Sequence, residues 1–236
     1  MADRLDSVLE MIYLMFNEGY AAQSGENLVR QELCGEALRI AQLLVDSSVS
    51  TPQVHALVAL LAFQAARLPA RVDAQGEMVL LEDQDRTKWD GNLVAFGFHH
   101  FAQCAGGSQI STYQLQAAIA NEHARAKSPQ NIDWKLILEL YDQLMEQDPT
   151  PVVALNRVVA IAKRKGPRHA LKELSALANE KSLRNYYLLP AVEGRLQLEV
   201  ANKPAARRCF QRALKMPCSE PEKRFLQRKR SECARS

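Results

Sequence analysis

Tyr141, Leu174 and Phe210 stand 33 and 36 residues apart, and Leu144, Leu177 and Ala213 repeat the same offsets three positions later. Recurrence at a period near 34, carried on large apolar residues alternating with small ones, constrains this chain more than any other feature. A helix pair of that length cannot bury its apolar face alone, so successive pairs must stack into a shared core. The surrounding pattern agrees. Trp134, Ile137, Leu138, Tyr141 and Leu144 form one helical stripe behind Asp133, whose carboxylate can cap the helix. Pro149 and Pro151 close that helix and open the next, VVALNRVVAIAKRKG. PRHALKELSAL, NYYLLPAVEGRLQLEV, KPAARRCFQRAL and a last helix from Glu220 follow, with Gly194 at the small-residue position of the final pair.

The first hundred residues are also helical in rhythm. Leu5, Val8, Leu9, Ile12 and Phe16 mark a helix over 3–18, for which Gly19 offers a left-handed stop. A second helix is expected over 26–46. A third runs over 52–66, where Thr51 can cap and Pro52 fits the first turn. RVDAQGEMVLL interrupts the series with a turn-like centre, Asp73 to Gly76, between Val72 and Met78-Val79-Leu80. From Trp89 the rhythm returns, placing Trp89, Leu93, Phe96 and His100 on one face, until CAGGSQ breaks it at 104–109. The expected fold is all-α, a tetratricopeptide-like helical repeat array with one short extended or hairpin excursion near 70–82. Its parts are an N-terminal helical region, 1–110, and the repeats, 111–236.

Charge divides the chain unevenly. Residues 1–100 carry fourteen acids and seven bases, whereas residues 101–236 carry thirteen acids and twenty-three bases. An acidic part and a basic part bear on how the molecule meets partners. The five cysteines are scattered without a CxxC pair, which argues against a disulfide framework or zinc ribbon and for a reducing compartment. With no apolar run of about 18 residues and no signal-peptide pattern, a cytoplasmic protein that does not enter a membrane is expected.

Chemistry-bearing motifs are few. Neither GxSxG, a P-loop nor HExxH occurs, and adjacent His99 and His100 point about 100° apart on a helix, so they cannot chelate one ion together. The densest charge is LLEDQDRTKWD, residues 80–90. Glu82, Asp83 and Asp85 offer oxygen ligands for a hard cation, but the stretch lacks the glycine of a calcium loop. As an acid/base pair they would need a pocket with divergent environments. The simpler reading is a structural junction: Asp85 or Thr87 caps the Trp89 helix, and Arg86 pairs with a neighbouring carboxylate. A protein-binding determinant is the third reading. In FNEGY, Asn17, Glu18 and Tyr20 form a polar cluster at a helix end, with Tyr20 packing beneath Gly19 as the alternative. The basic stretches 163–172 and 222–236 read as solvated helix faces rather than a DNA-binding surface.

RLDSVLEMIYLMFNEGY, ARVDAQGEMVLLEDQDRTKWD, YQLQAAIANEHA and TPVVALNRVVAIA, followed by the closing repeat, resemble one family. It is the C-terminal tetratricopeptide-like extension of bacterial extracytoplasmic-function RNA polymerase sigma factors. The resemblance runs from about Arg4 to Arg230, and YLMFNEGY and LLEDQDRTKWD carry it most specifically. Gln64, in FQAAR, departs from the histidine associated with that position. Such factors place a promoter-melting region and a helix-turn-helix ahead of this extension, so the present residues are not expected to recognise a promoter alone. The resemblance implies a non-catalytic regulatory domain, without cofactor or metal, that contacts sigma core regions or RNA polymerase during transcription initiation. Glu82, Asp83, Asp85, Arg86, Asn17, Glu18 and Tyr20 are its candidate partner-binding residues. The alternative function is a peptide- or small-ligand sensor using the repeat groove, with a carboxylate-based enzyme as the remaining rival.

Overall fold

The structure, a computed structural model, describes residues 2–20, 29–106 and 110–234. Among them stand eleven α-helices and no β-strand, so the fold is an all-α helical array. The chain divides after Ile132 into two compact units. Helix α5 therefore belongs with the first unit, and the division falls later than residue 110. No helix of the described residues is long and apolar enough to cross a membrane.

The first unit contains α1 (Ala2–Tyr20), α2 (Gln31–Val45), α3 (Pro52–Ala65), α4 (Gly91–Gln103) and α5 (Thr112–Arg125). Its hub is α3, PQVHALVALLAFQA, in which ten of fourteen residues are buried. A helix apolar all round can only sit at the centre of its neighbours. Accordingly α1, α2, α4 and α5 all pack on α3. Leu57, Leu60 and Leu61 share one face of it while Ala56, Val58, Ala59 and Ala62 are buried around the rest, and each leucine contributes about 1.5–3 kcal/mol by burial. Thr51 caps α3 by accepting from the Val54 N–H, with Pro52 in the first turn as expected.

Gly19 is not a left-handed stop. It lies inside α1, one residue before the helix ends at Tyr20. A Cβ there would come within 2.8 Å of Leu33 Cβ and 2.9 Å of Cys34 Sγ, so glycine is needed for the close approach of α2. The second helix begins at Gln31; residues 26–28 of its expected start lie outside the described residues.

The 70–82 excursion takes hairpin form without becoming a strand. Val72 and Met78 make an isolated antiparallel bridge. Asp73 Oδ1 accepts from the Gln75 and Glu77 N–H groups, and Gly76 supplies the positive φ of 74°. LLEDQDRTKWD then forms two 3-10 turns, Leu81–Asp83 and Arg86–Lys88, rather than a helix entrance. Asp85 caps the second of these turns, accepting from the Thr87 N–H and hydroxyl. The cap of α4 is Asp90, which accepts from the Asn92 and Leu93 N–H groups. Trp89 thus precedes α4 instead of lying within it, because Asp90, whose carboxylate suits the cap, stands between them.

The second unit runs from α6 (Trp134–Gln147) and α7 (Pro151–Lys165) through α8 (Pro167–Ala176) and α9 (Leu188–Glu199) to α10 (Lys203–Ala213) and α11 (Glu220–Glu232). Here each helix packs chiefly on its neighbour in sequence. Asp133, Thr150 and Asn202 cap α6, α7 and α10. Four of the six repeat positions, Leu144, Leu174, Phe210 and Ala213, are buried, whereas Tyr141 and Leu177 are half-buried, Leu177 lying just past the end of α8. Gly194 lies against the Phe210 ring, where a Cβ would approach Cε1 to 2.8 Å, so the small residue permits the α9–α10 packing.

Candidate functional site

The two motifs that carry the family resemblance meet in the first unit, through arginines that neither contains. Tyr20 ends α1 with its ring stacked on Phe16 at 5.8 Å. Arg67 Nη2 donates to the Tyr20 hydroxyl at 2.8 Å and to Gln64 Oε1 at 3.1 Å. Gln64 therefore serves as a local acceptor for that guanidinium. Arg71, nearly buried, donates through Nη1 to the Tyr20 carbonyl and lies over its ring with Cζ 3.7 Å from the centroid. A cation at the last carbonyl of a helix complements the dipole. The 3-10 turn before the hairpin, Leu68–Ala70, packs on the turn Arg86–Lys88, which joins this knot to the acidic stretch.

Arg86 points inward and pairs with no neighbouring carboxylate. Its Nη1 donates to the carbonyls of His123 and Ala126, at 2.8 and 2.9 Å, and so closes the C-terminal end of α5. Its Cζ lies 4.5 Å from the Trp89 ring centroid, a cation–π contact. Nε and Nη2 of Arg86 and Nε1 of Trp89 are buried without a hydrogen-bond partner. Each such donor costs about 1–3 kcal/mol unless something satisfies it. Burial, with the charge of Arg67 added, lowers the Arg86 pKa from its ordinary value. Burial also depresses His123 to about 3, with Arg67 and Arg86 reinforcing the shift, so its ring is neutral at physiological pH.

The remaining candidate residues face outward to different degrees. Asp83 and Asp85 are exposed, Glu82 is half-buried, and Glu18 is exposed and ion-paired with Arg30 at 3.4 Å. Asn17 is half-buried on α1. Thr87 holds Asp85 below the usual carboxylate range through its hydroxyl and N–H. Two of the three carboxylates considered as an acid/base set are thus open to solvent, and no group of three or more metal-ligating side chains exists among the described residues. Tyr20 and Arg86 belong to the packed interior of the junction, whereas Glu18, Asp83 and Asp85 can reach a partner.

One partly buried polar pair escaped the sequence reading. His55 of α3 and His100 of α4 place their Nδ1 atoms 2.9 Å apart with stacked rings. Burial pushes His100 down to about 4, with His55 and His99 reinforcing the shift, and burial together with His99 lowers His55. All five cysteines are buried and unbridged. Burial raises Cys34, Cys209 and Cys218 to about 11, which makes them inert thiols.

The second unit contains an open groove of about 550 Å³ formed by α8, α9, α10 and the 3-10 turn Lys181–Leu183. Leu171, Leu189 and Met216 give it apolar patches, while Asn179, Gln197 and Arg184 supply polar edges. Glu193 and Arg212 pair across α9 and α10 at 2.6 Å on its wall. The groove lies in a segment, 133–236, with twelve acids and twenty-one bases. Periodicity indicated that such a groove should exist, but not which side chains would line it. The mixed lining suits an extended peptide or the edge of a protein partner rather than a purely apolar ligand.

A family of unknown function (DUF6596) matches residues 4–105, which include α1 to α4. An uncharacterized protein of Rhizobium meliloti (strain 1021) is 39% identical over 225 residues, covering 95% of this chain and 53% of its own length. The chain spans about half the length of that curated relative.

Proposed function

We propose that this chain is a non-catalytic protein-interaction and regulatory domain of the extracytoplasmic-function sigma type. It modulates transcription initiation in the cytoplasm by contacting sigma core regions, RNA polymerase, or both. The groove of about 550 Å³ in the second unit carries this reading, because stacked helix pairs with a mixed apolar and polar concavity are suited to hold a peptide segment. Two further observations support it. The Rhizobium relative contains a region like this chain within about twice the length, as an appended regulatory domain requires. Glu18, Asp83 and Asp85 present exposed carboxylates on the motifs that carry the family resemblance. Basic polymerase or sigma surfaces are suitable counterparts for them.

In this mechanism the Arg67–Tyr20–Arg71 knot and Arg86 keep the junction rigid, while the groove and the exposed acids dock the partner. Promoter recognition stays with the sigma core. A pull-down of sigma core regions and of core polymerase at low salt should recover each partner that is contacted, and capture of neither would sink the proposal. Arg184→Glu, an exposed charge reversal at the groove, should weaken capture about tenfold, in line with the roughly 1–2 kcal/mol expected for a contact at a docking edge. A peptide- or small-ligand sensor is the second reading. The groove volume favours it, lying within the roughly 300–1,000 Å³ range of ligand sites. A ligand that saturates the groove and changes partner capture would join the two readings.

A further inference from the structure

Arg86 uses only one edge of its guanidinium. Nη1 is committed to the His123 and Ala126 carbonyls, and the opposite edge, Nε and Nη2, faces no acceptor although both atoms are buried. That edge presents two parallel N–H bonds in the geometry that grips a carboxylate or a phosphate bidentately. Trp89, whose ring lies against the same guanidinium, contributes a third buried donor, Nε1, also without an acceptor. The surroundings are cationic. Arg67 stands near enough to depress Arg86 electrostatically, and Arg67, Arg71 and Arg86 form no ion pair with a described carboxylate. This happens in the part of the chain that is otherwise acidic, with fourteen acids among its first hundred residues. A buried guanidinium without a counter-charge and with its fork unfilled is a costly arrangement.

We infer that the Nε/Nη2 edge of Arg86, with Trp89 Nε1, is a binding site for one small oxyanion, a phosphate or a carboxylate. The anion accepts the fork side-on and supplies the negative charge that the neighbouring carboxylates withhold. Because the donors are enclosed, it enters through local opening of the 80–90 segment and exchanges slowly. The oxyanion then ties the Trp89 approach of α4 to the end of α5, completing the junction that Arg86 makes with the α5 carbonyls. This site is separate from the groove, and its existence does not depend on the regulatory role proposed for the chain.

The two tryptophans make the test internal to the intact chain, since Trp89 reports on the site and Trp134 serves as the reference. Indole N–H resonances of ¹⁵N-labelled protein are followed while inorganic phosphate, acetate or chloride is added at constant ionic strength. The expected result is a saturable movement of the Trp89 signal with phosphate or with acetate, while Trp134 stays in place. Response to phosphate alone identifies a phosphoryl ligand, response to acetate alone a carboxylate, and either upholds the site. Arg86→Lys, which keeps the charge but loses the fork, should raise the half-saturating concentration at least tenfold. Arg67→Gln, which removes neighbouring charge and the bonds to Tyr20 and Gln64 but leaves the Arg86 fork, should raise it several-fold with unchanged helicity and keeps the test valid if Arg86→Lys fails to fold. No saturable movement beyond that in chloride would overturn the inference, because the fork would then be filled by water. Saturation unchanged in the folded variants would overturn it as well.

Discussion

The two units solve the same packing problem differently. In the first, four helices surround one that is apolar on every side, so α3 is a partner to all of them. In the second, each helix rests mainly on the next, and no single helix is common to all. The polar interior differs as well. The first unit buries His100, Arg71 and Glu122, the last paired with Arg125, whereas the second buries Glu222, whose carboxylate accepts from the Ser219 N–H and the Tyr187 hydroxyl. A hub concentrates stability in a few side chains, while a linear stack distributes it over interfaces and leaves a concave side open.

The sharpest way to break this comparison is to hollow each core at its aromatic anchor. Phe63→Ala should cost about 3–5 kcal/mol and, because Phe63 sits in the hub against Gly97, lower hydrogen-exchange protection across α1 to α5. Phe210→Ala removes a similar ring but should lose protection mainly in α9 to α11. Equal spread in both variants would erase the distinction between hub and stack.

Acid should separate the units next. His100 ionises near 4 in the folded state against an ordinary value of 6.5, so the unfolded chain takes up its proton first. The stability held by the neutral His55–His100 pair is therefore complete above about pH 6.5 and declines as pH falls towards 4. We expect a loss of about 1–3 kcal/mol from this pair over that window, with His100→Gln reducing the first unit's slope in urea titrations followed by exchange and His123, depressed to about 3, supplying a slope that remains.

A smaller effect belongs to the buried acid of the second unit. Tyr187→Phe leaves Glu222 short of one donor and should cost about 1–3 kcal/mol by chemical denaturation, confined to that unit. The smallest is Asp85→Ala. It removes the cap of a single exposed 3-10 turn and should cost no more than about 1 kcal/mol in melting experiments. A much larger loss would mean that LLEDQDRTKWD stabilises the fold through its acids rather than through Arg86.

How much was legible follows from the range of each interaction. Helix periods, the Thr51-Pro52 start and the Asp133 cap are local, and they appear where the spacing of residues indicates them. The repeat offsets identified Leu174 and Phe210 as core and Gly194 as the small partner, because periodicity encodes the face each residue shares. Gly19 misled, since a glycine that admits a neighbouring helix looks the same in sequence as one that ends its own. Asp90 was passed over as a cap because the apolar rhythm counted Trp89 into the helix, which put Asp90 inside it and left Asp85 or Thr87 as the cap. Arg86 was assigned to a carboxylate next door, whereas its acceptors are carbonyls at the end of α5, about forty residues away. The His55–His100 pair and the lining of the groove likewise join segments far apart in sequence, which no local pattern records.

The proposed regulatory role is tested most directly by transcription. A cognate sigma factor is assayed with core polymerase on its own promoter, with this domain present, deleted, and added back in trans. The account predicts that deletion changes initiation several-fold, that the separate domain restores the original level, and that raised salt weakens the restoration as screening of charged docking surfaces requires. Initiation that is the same with the domain present, deleted or added back would contradict it.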